Sequence, residues 1–144
     1  MSSEKSENVE YGLEAFREVE GFKGAILLTA EGEVLESVTR GRQNLEVISV
    51  LANSVLRTSQ KACLEMGTGR GRLIHIEAED GHILARCFNQ GTNPLATEEG
   101  KVHVHLVMVL GTNANLGMAK MRLASIGNSA VAALAAAWRE QKGV

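Results

Sequence analysis

Apolar positions along the chain recur with two periods, and each period predicts a different kind of element. Within Lys101–Gly111, the residues Val102, Val104, Leu106, Met108 and Leu110 alternate onto one strand face. From His105 onward the opposite face is apolar too, through Val107 and Val109. A strand apolar on both faces belongs in the middle of a sheet that is covered from both sides. Gly111-Thr112-Asn113 then breaks the run, and Asn113 or Asn115 can cap a long helix. In that helix Leu116, Ala119, Leu123, Ile126, Ala130, Leu134 and Trp138 recur at helical spacing, and it continues to about Arg139. Small residues at Gly127, Ala130 and Ala133 allow another element to approach it closely.

The same patterns organise the earlier chain. Asn8 can cap a short helix whose apolar positions are Val9, Leu13, Phe16 and Val19 and which Gly21 closes. Gly24–Ala30 and Glu33–Thr39 are strand-length runs joined by Glu31-Gly32, which predicts a hairpin. After a loop at Gly41–Asn44, a second helix runs from Leu45 to Met66. Arg72–Ala78 and His82–Phe88 form a second hairpin around Glu79-Asp80-Gly81, and Asn89–Gly100, with the single proline Pro94, is a loop. Five strands joined mostly by hairpins imply an antiparallel sheet, an α+β arrangement with helices on both faces.

The second helix carries more apolar surface than one sheet can cover. Val47, Ile48, Leu51, Val55, Ala62 and Met66 form a stripe, widened by Leu45, Ala52, Leu56 and Cys63 on one side and by Val50 on the other. The arc spans roughly two-thirds of the circumference, whereas a helix lying on a sheet needs only about 100°. The excess calls for a second surface, most economically a partner subunit.

Composition narrows the function classes. With 144 residues, 44% hydrophobic and 22% charged, the chain is one folded domain with a single core. A net charge of −2 and 3% aromatic residues argue against nucleic acid as a partner. No apolar run approaches the roughly 20 residues that span a bilayer, and the polar start Met1–Glu7 is unlike a signal peptide. Two cysteines, Cys63 and Cys87, make neither a disulfide framework nor a metal motif, which points to a reducing cytoplasm.

Candidate chemistry is sparse. His103 and His105 share a strand face and His75 could lie on a neighbouring strand, so three imidazoles could hold zinc. No carboxylate or cysteine falls at a ligand-like spacing from them, and the expectation is no metal. Gly67-Thr-Gly-Arg-Gly-Arg72 lacks the ending of a P-loop and precedes a strand instead of a helix, so it reads as a basic glycine-rich turn. There is no Gly-x-Ser-x-Gly elbow and no recognisable cysteine nucleophile. We therefore expect no catalytic residue and no cofactor. Arg40, Arg42, Arg57, Arg70 and Arg72 could form a basic rim able to meet an acidic partner or a nucleotide phosphate.

Three short motifs, taken in order, resemble the roadblock (dynein light chain) family. Val19-Glu20-Gly21-Phe22-Lys23-Gly24-Ala25 is similar to that family's approach to its first strand, Glu31-Gly32 sits at its first turn, and Asn115-Leu116-Gly117 resembles the start of its last helix. Glu20 stands where many members carry proline. The resemblance covers about Val9 to Leu134 and implies a roadblock/longin-like α/β/α sandwich. Its second helix would lie on one sheet face and its first and third on the other. The domain would occupy residues 8–140, between a flexible tail at 1–7 and a C-terminal tail at 141–144. It further implies a non-catalytic homodimer that regulates or scaffolds a small Ras-like GTPase, or alternatively a structural adaptor in a motor- or signalling-associated complex. On that geometry and on helix phase, the expected dimer contacts are Val47, Val50, Leu51 and Ser54 with third-strand residues Leu73, Ile74, His75 and Ile76. The expected partner contacts are Arg57, Lys61, Arg70 and Arg72.

Overall fold

The structure, a computed structural model, describes residues 10–41 and 43–141. It contains a short 3₁₀ segment, Leu13–Glu18, five strands and two long helices. The strands are β1 (Phe22–Thr29), β2 (Val34–Thr39), β3 (Leu73–Ala78), β4 (Gly81–Asn89) and β5 (His103–Leu110). The helices are α1 (Leu45–Glu65) and α2 (Leu116–Gln141). All neighbouring strands pair antiparallel in the order β2-β1-β5-β4-β3. β5 thus lies at the centre, as its two apolar faces require, and β2 and β3 are the edges.

The sheet separates two cores. Leu27, Val104, Leu106, Met108 and Leu110 point to one side, where Leu13 and Phe16 of the 3₁₀ segment and Leu123, Ala130 and Leu134 of α2 cover them. Ile26, Leu28, Ala85 and Val107 point to the other, against Leu56 of α1, with Leu45, Ile48 and Ala52 around it. Alternation along β1 and β5 therefore assigns each residue to a layer, and both faces are covered because both strands are interior. Full burial of one such leucine or methionine contributes about 1.5–3 kcal/mol.

Helix starts follow their caps. Asn44 Oδ1 accepts from Val47 N–H at 3.2 Å, as expected, and Asn115, not Asn113, caps α2 by accepting from Met118 N–H at 3.1 Å. The first helix is shorter than its periodicity suggests. Gly12, at φ 86°, turns the backbone immediately before Leu13, and the backbone N–H of Tyr11 is tied to Glu36 of β2 at 2.9 Å. The segment also ends early, with Val19 already extended. Gly21 does not close a helix but forms the turn into β1, at φ 84° and pressed against the backbone of Ala114 at the start of α2. The expected tail at 1–7 and the residues Asn8 and Val9 lie outside the described residues, and α2 runs one residue beyond the expected domain end.

Gly127 sets the distance between α2 and the sheet. A Cβ at this position would fall inside the Phe88 ring of β4. Alanine would recover about 1 kcal/mol of helix propensity, but forcing a methyl into a packed ring costs about 1–3 kcal/mol. Gly127→Ala is therefore expected to lower the urea midpoint, and adding Phe88→Leu to restore part of it. A midpoint raised by Gly127→Ala alone would show that the helix does not sit this close.

Candidate functional site

Two features of α1 are not explained by packing on the sheet. The first is its outward face. Leu45, Ile48, Ala52 and Leu56 meet the sheet, while Val47, Val50, Leu51 and Ser54 point away from it and are exposed, Val50 and Leu51 at 68% and 60%. The over-wide apolar arc thus resolves into two opposed faces, and Val47 and Leu51 belong to the outer one. That outer face changes character along the helix. Its N-terminal half is aliphatic, and its C-terminal half carries Arg57, Thr58, Lys61 and Glu65, all exposed.

The third-strand candidates divide. Ile74 and Ile76 pair with Ala85 and Ile83 and share the sheet face that α1 covers. Leu73 and His75 pair with Arg86 and Leu84 and point to the α2 side. β3 is an edge strand, with backbone groups on its outer side free to pair. Apolar α1 surface and an unpaired strand edge are therefore both present. Among the four basic candidates, Arg57 borders a cleft and Lys61 lies one turn further along α1. Arg70 is used internally, its guanidinium donating to the carbonyls of Asn89, at 3.1 Å, and Gly91. Arg72 remains exposed at the start of β3.

The second feature is a buried polar cluster on the sheet under α1. A cleft of about 620 Å³ lies between the middle of α1, the β1–β2 turn and the Pro94–Thr97 loop, with His103 and His105 at its floor. Asn53 of α1 donates to the carbonyl of Ala30 at 3.1 Å, so its Oδ1 is left to accept from His105 Nδ1–H at 2.7 Å. Thr97 donates to the Glu31 carboxylate, so its oxygen accepts from His103 Nδ1–H at 3.1 Å. Both imidazoles therefore carry their proton on Nδ1 and leave Nε2 as the lone-pair atom. His103 Nε2 lies 3.5 Å from Cys87 Sγ on the neighbouring strand. Gln60, also buried, clasps Gly71 through both its amide atoms, at 2.8 and 2.9 Å, which fixes the chain approaching β3.

Burial dominates the electrostatics here. It pushes His105 down to about 4, with His103 adding a repulsive contribution, and it lowers His103 as well, against the opposing pull of Glu31. It raises the Cys87 thiol. At neutral pH the two imidazoles are uncharged.

The structure does not assemble the three histidines considered from sequence. His75 Nε2 sits 3.0 Å from His82 Nδ1 on the other sheet face, away from His103 and His105. The expectation that no cysteine accompanies those two is corrected: β4–β5 pairing sets Cys87 directly opposite His105. His103-x-His105 and the Ile83, Ala85, Cys87 alternation each pointed to the α1 side, but only the strand register joins them.

A five-stranded antiparallel sheet held between one helix on one face and a helical pair on the other defines a roadblock/longin-like sandwich. Residues 9–87, more than half of the chain, match the Roadblock/LC7 domain, and the chain belongs to that family. A structure described as MglB with tetrameric arrangement superposes with a TM-score of 0.62 at 22% identity, over 92% of this chain and 86% of that one. The gliding protein MglB from Thermus thermophilus gives 0.63 at 20% identity, over 92% and 87%. A Roadblock/LC7 domain from Streptomyces avermitilis gives 0.59 at 16% identity, over 93% and 96%. These likenesses are of fold. No curated protein matches the sequence. Among the described residues no helix is long and apolar enough to cross a membrane.

Neutral His105 carries a pH signature. The unfolded chain binds a proton at about 6.5, whereas the folded chain holds off until about 4. Between those values the unfolded state binds more protons, so stability falls as pH falls, by up to about 3 kcal/mol from this residue. In chelator-containing buffer, the drop in urea midpoint between pH 7 and pH 4.5 is expected to be smaller for His105→Gln than for the unsubstituted protein. Equal drops would mean that His105 is solvated.

Proposed function

We propose that the chain acts in the cytoplasm as a homodimeric roadblock protein that binds a small Ras-like GTPase and regulates or positions it, with no catalytic step of its own. The observation that carries this reading is the exposed aliphatic face of α1 at Val47, Val50 and Leu51. Contiguous apolar surface of this kind on a small domain marks an interaction site. A second copy is the simplest occupant, because one face then covers itself about a twofold axis. The open β3 edge, with Ile74 and Ile76 on the same side as α1, supplies a second zone of contact. Family membership supports the GTPase partner, and the tetrameric arrangement named for one MglB structure supports self-association. Arg57, Lys61 and Arg72 remain as the exposed basic contacts for an acidic partner surface, while Arg70 would act by holding the loop beside them.

Leu51→Glu places a charge in the centre of the proposed contact and is expected to weaken self-association at least about 100-fold. Analytical ultracentrifugation with circular dichroism decides the point: a folded Leu51→Glu protein that stays dimeric at low micromolar concentration would place the interface elsewhere.

Capture from lysate of the source organism, in parallel with GDP and with a non-hydrolysable GTP analogue, should recover a small GTPase in one nucleotide state. The Arg57→Glu/Lys61→Glu double variant should lose that capture while remaining dimeric, because rim charges steer association. Recovery of other roadblock-like or structural proteins, indifferent to nucleotide, would move the chain to the adaptor class.

A further inference from the structure

The polar cluster under α1 has a chemistry that the interaction reading leaves unused. One donor atom from each of Cys87, His103 and His105 lies within 4.8 Å of the other two. We propose that Cys87 Sγ, His103 Nε2 and His105 Nε2 form a three-ligand zinc(II) site whose fourth position faces the cleft beside α1 and is filled by water.

The donor set fits the ion. A thiolate with two imidazoles is a borderline-soft combination that zinc binds in tetrahedral geometry, and three protein ligands with one open position is a recurrent form of such sites. Zinc–nitrogen and zinc–sulfur bonds of about 2.0–2.3 Å at a tetrahedral angle set donor separations of about 3.3–3.6 Å. Cys87 Sγ and His103 Nε2 already stand 3.5 Å apart. Closing the remaining distances needs only side-chain adjustment, because all three residues project from two adjacent, hydrogen-bonded strands.

The surroundings are arranged as outer-shell support. Metal-bound imidazoles commonly donate their second nitrogen to a fixed oxygen, which sets the tautomer and the ring orientation. Here His105 Nδ1–H is held by Asn53, itself anchored on the Ala30 carbonyl, and His103 Nδ1–H by Thr97, itself anchored on Glu31. Two imidazoles independently locked with Nε2 as the lone-pair atom, beside a thiol, is more than a satisfied polar pair requires. His103 and His105 are 5% and 6% exposed, so neither is oriented by bulk water. The cleft that reaches them supplies an entry route and room for the fourth ligand.

Bound zinc would join β4 and β5 directly. Through the outer shell it would also tie down the middle of α1, the β1–β2 turn and the β4–β5 loop. Its role on this reading is to fix the seat of α1, and the site is complete within one chain.

The test is titration of the chelator-stripped full chain with cobalt(II), followed by displacement with zinc. Expected are one equivalent per chain, near-ultraviolet thiolate-to-cobalt charge-transfer absorption, and loss of that band on zinc addition. Cys87→Ser should abolish the band and weaken zinc binding at least about 100-fold, whereas Cys63→Ser and His75→Asn should leave both unchanged. Asn53→Ala, which touches only the outer shell, should weaken zinc binding about 10–100-fold, with circular dichroism confirming the fold of each variant. The proposal is overturned if the folded protein shows no stoichiometric band, if Cys87→Ser retains it, or if loss follows Cys63 or His75 instead. Should Cys87→Ser not fold, the cobalt spectrum of the unsubstituted chain and the Asn53→Ala affinity still decide.

Discussion

The burial of β5 on both faces is the constraint from which the remaining architecture follows. A strand with Leu106 facing one layer and Val107 the other has no tolerable neighbour except another strand on each side and a helix above and below. Pairing with β1 and β4 supplies the strands. α2 with the 3₁₀ segment, and α1 opposite, supply the covers. Because β5 is central, a polar residue on it is forced into the interior, which is why His103 and His105 are buried, neutral and individually hydrogen-bonded.

The two helical layers meet this sheet in different ways. α2 is held close, with Gly127 against Phe88, and its stripe of small residues makes a tight, single-purpose contact. α1 rests on a smaller core around Leu56 and keeps aliphatic side chains outside. In between it places Asn53 and Gln60, which are tied by side-chain hydrogen bonds to Ala30 and Gly71, while buried Ser49 bonds back to the Leu45 carbonyl within the helix. One helix is thus structural on one side and available on the other, with polar anchors fixing its rotation.

Much of this was legible in the residues. The double-faced alternation of Val102–Leu110 announced a central strand, Asn44 announced a helix start, and the breadth of the α1 arc announced more apolar surface than the sheet covers, because each signal is local in sequence. What was not legible depended on backbone conformation or on register. The left-handed turn at Gly12 shortens the first helix without altering its apolar spacing. Cys87 was missed as a neighbour of His105 because the long β4–β5 connection conceals which residues face one another.

The change of character along α1 carries a geometric consequence. Any twofold pairing through this helix must centre where its outer face is aliphatic, near Leu51, since identical basic segments repel when superposed. The axis would then lie about ten residues, or roughly 15 Å, from Lys61 in each copy. The charged ends would point away from each other, so such a pair would present two separate, equivalent docking ends and not one shared patch. Its occupancy by a partner could therefore be one or two, and the ratio of chains in a complex would report which.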